Sequence, residues 1–86
     1  MDIWETVYGN HRIRVELHSN NKTLLFIDGE IADQCKYYII PFFIIIYGKL
    51  VSQLPSGELV VVNFDGFWKV RCTLFINGKF TNIAKL

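Results

Sequence analysis

Turn punctuation narrows the choice of fold more than any other feature of this chain. Turn-forming residues recur at Gly9-Asn10, Ser19-Asn20-Asn21, Asp28-Gly29, Gly48-Lys49, Pro55-Ser56-Gly57, Asp65-Gly66 and Asn77-Gly78, mostly about 8–20 residues apart. Such spacing excludes long helices. Two phrases are near copies, "LFIDGEI" at 25–31 and "LFINGKF" at 74–80. Asp-Gly and Asn-Gly between apolar runs favour two-residue hairpins, because both central residues of the turn need positive φ. The repeat therefore predicts the same hairpin in each half of the chain, with "VNFDGFW" at 62–68 a looser third copy.

Between the turns, side-chain alternation assigns faces. Ile13, Val15 and Leu17 point one way while Arg12, Arg14, Glu16 and His18 point the other. Likewise Trp68, Val70, Cys72, Leu74 and Ile76 form a core face opposite Lys69, Arg71, Thr73 and Phe75. Residues 37–47 and 59–64 are apolar at both parities, as in strands covered on both sides by a second sheet or another subunit. Strands are expected at about 2–8, 11–18, 22–27, 30–39, 42–47, 49–54, 58–64, 67–76 and 79–85. Eight or nine short antiparallel strands cannot stay in one sheet with a wet and a dry side. The expectation is a single all-β domain over 1–86, a compact antiparallel β-sandwich or, alternatively, a small β-barrel.

Composition limits the function. A chain of 86 residues with 51% hydrophobic content has only a thin stability margin, so some apolar surface is available for a partner. Nine Lys and Arg against eight Asp and Glu leave a net charge of +1, which argues against nucleic acid or an anionic membrane as a partner. The start, Met1-Asp2-Ile3-Trp4-Glu5, lacks the basic and apolar regions of a secretory signal, so a cytoplasmic location is expected. There Cys35 and Cys72 would be free thiols. The apolar run at 37–51 is interrupted by Pro41 and stopped at Gly48-Lys49, too short for a spanning helix.

Trp4, "HRIRVELH" at 11–18, Lys22, "LLFIDGEI" at 24–31 and "FWKVRCTLFINGKF" at 67–80 resemble, in order, the N-terminal domain of Fas apoptotic inhibitory molecule. That family shows a Trp near its start, an "EFEH"-like strand and hairpins like "YVDGKE" and "YTLEINGK". The resemblance implies a compact antiparallel β-sandwich and a non-enzymatic, protein-binding style of function. Inhibition of apoptosis is not implied, because no residue here matches a binding motif for that role.

No residues are arranged for catalysis. His11 and His18 differ in parity from one another and no cysteine or carboxylate cluster completes a metal set, so neither a metal nor any other cofactor is expected. Cys72 lies on the apolar face without a base, and Asp28 and Asp65 are explained by the turns they open. Two features suggest binding. Tyr37, Tyr38, Phe42, Phe43 and Tyr47 offer more aromatic surface than a small core needs, and predict a protein interface or self-association as a homodimer. Arg12, Arg14, Lys69 and Arg71 would form a basic patch if their strands were neighbours. The favoured expectation is a non-enzymatic protein-interaction module or self-associating subunit. The alternative is a small nucleic-acid- or ligand-binding barrel that uses the basic strand face.

Overall fold

The computed structural model describes residues 1–19, 22–36, 38–40, 45–67 and 69–86, without the side chains of 38–40, 45–47 and 67. Expectations placed on Asn20, Asn21, Tyr37, Phe42, Phe43 and Trp68 lie outside the described residues. Two antiparallel sheets pack face to face as a β-sandwich. The first holds β1 (Asp2–Tyr8), β2 (His11–Leu17), β3 (Lys22–Ile27) and β4 (Glu30–Lys36). The chain then enters the second sheet through β5 (Tyr38–Ile40), β6 (Ile45–Gln53), β7 (Leu59–Phe67), β8 (Arg71–Ile76) and β9 (Lys79–Thr81), and returns to pair β10 (Ala84–Lys85) with β1.

Each sheet is therefore a four-strand meander, β1 to β4 or β6 to β9, with an added strand from the chain that crosses between sheets. The repeated phrase supplies the third and fourth strands of both meanders. Asp28 and Asn77 take positive φ of 54° and 51°, and Gly29 and Gly78 take 84° and 78°, as the expected hairpins require. The two turns are also held alike. The Asp28 carboxylate accepts the Arg12 N–H at 2.9 Å while its own N–H donates to the Arg12 carbonyl at 2.9 Å. Asn77 makes the same pair with Leu59, its side-chain oxygen accepting the Leu59 N–H at 2.9 Å and its N–H donating to the Leu59 carbonyl at 2.9 Å. Arg12 lies in β2 and Leu59 in β7, so each hairpin is clamped to the second strand of its own meander.

The core matches the alternation. Ile13, Val15, Leu17, Leu25 and Ile27 of the first sheet meet Leu50, Val60, Val62, Leu74 and Ile76 of the second, and all are buried. Cys72 and Val70 pack against this cluster from its margin. Thr23, the one fully buried polar side chain among the described residues, donates its hydroxyl proton to the Cys35 carbonyl at 2.9 Å. That bond removes the cost of an unsatisfied hydroxyl.

Two expected turns are strand interior. β6 runs straight through Gly48-Lys49, with Gly48 opposite Phe64 on the core side. Gly48 has no side chain of its own to pack against the buried Phe64. Similarly β7 continues through Asp65-Gly66, which pair with Tyr47 and Ile46. Gly66 is needed for a different reason: a Cβ would stand 1.8 Å from the Lys69 carbonyl oxygen, where the chain folds back toward β8. The expected strand 30–39 is divided between the sheets as β4 and β5, and 79–85 as β9 and β10. In β4 the pairing with β3 slips between Leu25 and Phe26, leaving Ala32 as a bulge that bends the strand toward the second sheet.

Candidate interaction surface

The seam below that bend is closed by side chains. β5 reaches along β6 only to Tyr47, and beyond it β4 takes over. The Asp33 carboxylate accepts the Val51 N–H at 2.7 Å, and the Cys35 thiol donates to the Lys49 carbonyl at 3.2 Å. A strand edge capped in this way is a poor template for another strand. The outer faces of the two sheets stay open to solvent.

On the first sheet the outer face is polar at its centre. The Arg14 guanidinium donates to Glu5 at 2.7 Å and to Glu16 at 2.8 Å, and His18 donates from Nε2 to the other Glu16 oxygen at 2.8 Å. Partial burial pulls the Glu16 carboxyl upward, but the hydrogen bonds from Arg14 and His18 outweigh it and hold the group below its ordinary value. Glu16 first and Glu5 second keep Arg14 still more firmly protonated. Beside this cluster His11 donates from Nδ1 to Asp28 at 2.7 Å. His11 first, then the Arg12 N–H, lowers the Asp28 carboxyl. An open depression of about 540 Å³ lies among Glu5, Arg12, Arg14, Phe26 and Asp28, with both charge signs in its wall.

The second sheet differs at the corresponding positions. Cross-strand neighbours share a face. The row Glu5, Arg14, Phe26, Ile31 on β1 to β4 has its counterpart in Val51, Val61, Phe75, Phe80 on β6 to β9. The ion pair in one half is replaced by two valines in the other. Phe75 and Phe80 meet edge to face with centroids 6.3 Å apart. Val51 keeps 43% of its surface exposed, Leu59 42% and Phe80 67%. Next along the strands come Asn63 beside Thr73, then Asp65 beside Arg71, whose guanidinium Nε donates to the Asp65 carboxylate at 3.0 Å.

The expected basic patch is divided by this architecture. Arg12 and Arg14 lie on β2 in the first sheet, whereas Arg71 lies on β8 in the second and Lys69 in the loop before it. The sandwich sets Arg12 and Arg14 on the outer face opposite to that of Arg71, and Arg14 and Arg71 each hold a carboxylate. Of the expected aromatic interface, Tyr38 and Tyr47 pair with one another across β5 and β6. Their side chains, and Tyr37, Phe42 and Phe43, lie outside the described residues. The segment 59–64, expected to be covered on both sides, is covered by the first sheet on one side only: Val60 and Val62 face the core, and Leu59 and Val61 face outward.

Cys35 and Cys72 are free thiols on different sheets. Burial pushes the Cys72 thiol up to about 12, so it is neutral at physiological pH and inert as a nucleophile. Among the described residues no three His, Cys, Asp or Glu side chains converge on a common point, and no helix is long and apolar enough to cross a membrane.

Fold and surface together define an antiparallel β-sandwich with an ion pair in the central row of one outer face and an apolar row, Val51, Val61, Phe75 and Phe80, across the other. The chain matches no family model, no curated protein and no solved structure.

Proposed function

We propose that this chain is a non-enzymatic protein-interaction module whose contact surface is the outer face of the second sheet. The carrying observation is the contrast between equivalent rows. At two equivalent positions the first sheet holds Glu5 and Arg14 in a water-compatible ion pair and the second holds Val51 and Val61, so that only the second carries an unbroken apolar row on through Phe75 and Phe80. A contiguous apolar row on a small domain is a contact surface in search of cover, since hydration of its side chains is unfavourable. Its aromatic content is that of an interface centre. The neutral Cys72 thiol and the engagement of Asp28 and Glu16 in structural hydrogen bonds also favour binding over catalysis. The likeness to the N-terminal domain of Fas apoptotic inhibitory molecule supports the same style of function, and free thiols suit a cytoplasmic setting.

A photoreactive phenylalanine analogue tests this at position 80 and, as a control, at position 31, the equivalent place in the first sheet. Protein adducts are expected from position 80 in the host cell and not from position 31. Equal yields from the two positions, or none from position 80, would refute the assignment.

A further inference from the structure

We infer that the partner on this face is a second copy of the same chain, packed sheet to sheet about a two-fold axis that runs parallel to the strands between β7 and β8. This rests on the interaction reading above and goes further by naming the partner and the register. A two-fold interface is isologous, so each residue must suit the residue that stands at its mirror position across the axis. Rotation about this axis keeps each row in place and sets β7 over the partner's β8 and β6 over its β9. The face is complementary to itself under that operation.

Val61 and Phe75 are cross-strand neighbours, so each Val61 meets the other copy's phenylalanine. Val51 and Phe80 end the same row and also exchange. Small side chains thereby stand opposite large ones at both places, the pattern by which packed layers interdigitate. One row on, Asn63 meets Thr73, two side chains that both donate and accept. In the next row Asp65 meets Arg71, and the two intramolecular pairs join as a four-charge square of alternating sign. The apolar row itself buries no charge. A net charge of +1 per chain leaves little repulsion between copies. A molecule 42 Å long and 23 Å across offers a face of the size needed for the roughly 800 Å² that each partner contributes to a standard interface. Sheets packed in this way keep their strands within about 30° of parallel, so the rows stay matched near the axis.

The test exploits the exchange of Asp65 with Arg71 between copies. Sedimentation equilibrium of the wild-type chain is expected to show a monomer–dimer equilibrium. Asp65→Arg alone and Arg71→Asp alone place like charges across the axis, and each is expected to weaken the dimer at least about ten-fold. Mixed in equal amounts, the two variants restore association, because every arginine then meets an aspartate of the other chain. Circular dichroism checks that both variants are folded. A wild type that remains monomeric at millimolar concentration overturns the inference, as does a mixture that associates no better than its components. If the photoreactive analogue at position 80 captures only a different protein, the dimer is overturned while the interaction surface stands.

Discussion

Trp4 of β1 meets Phe64 of β7 edge to face across the two sheets, with ring centroids 5.8 Å apart and planes at 62°. Both rings are buried, and Lys85 of β10 lies 5.9 Å from the centre of the indole. This contact joins the N-terminal strand, one of the two longest strands of the second sheet and the returning C-terminal strand. Trp4→Ala should cost about 3–5 kcal/mol, a large share of the stability of so small a domain. Urea denaturation followed by tryptophan-independent far-UV dichroism measures it.

Gly66 and Gly78 both have positive φ, at 154° and 78°, but for different reasons. Around Gly78 there is open space, and Gly78→Ala should cost on the order of 1 kcal/mol through backbone strain alone. Gly66→Ala adds a collision with the Lys69 carbonyl and must displace the chain between β7 and β8. The larger loss of stability is expected at Gly66, and comparison of the two denaturation midpoints decides the order.

Acid should weaken the β3–β4 hairpin through Asp28. Its carboxyl is held low by His11 and the Arg12 N–H, so its contribution is fully present above the unfolded value of about 3.9 and is lost as pH falls through the depressed folded value. Asp28→Asn keeps an oxygen to accept from Arg12, as Asn77 does for Leu59, and removes the titrating group. The variant should fold normally and lose stability less steeply below about pH 4, read from urea midpoints across pH.

Arginines on β2 should not be equivalent. Arg12→Ser alters an exposed side chain and is expected to stay within about 0.5 kcal/mol of wild type. Arg14→Ser removes the partner of both Glu5 and Glu16, and Glu16 is the more buried of the two. Thermal unfolding should therefore place Arg14→Ser below Arg12→Ser.

The thiols should separate by reactivity. Cys72, with its thiol pushed up to about 12, should be alkylated at pH 8 about three orders of magnitude more slowly than an ordinary cysteine. Intact-mass analysis over time should show one fast addition, mapped to Cys35 at the sheet edge.

Local chemistry was enough to determine the hairpins and faces. Asp28-Gly29 and Asn77-Gly78 specify their turns because positive φ at both positions is a property of the dipeptide and needs no distant partner. The alternation of Ile13, Val15 and Leu17, and of Leu74 and Ile76, specifies a buried side because strand geometry enforces a period of two. Apolar character at both parities of 59–64 marks a strand with an apolar outer side, but does not say what, if anything, covers Leu59 and Val61. Tertiary structure decided the rest. Gly48 and Gly66 look like turn glycines in sequence, yet both lie inside strands, because Gly48 pairs with Phe64 and Gly66 with Ile46, partners that only the folded sheet brings alongside. Arg14 and Arg71 share a solvent-facing parity, but β2 and β8 belong to different sheets, so parity placed each outside without placing them together. The apolar row exists only once β6, β7, β8 and β9 are aligned in register, because its four members are spread over thirty positions of chain and adjacency across strands is set by long-range pairing rather than by local sequence.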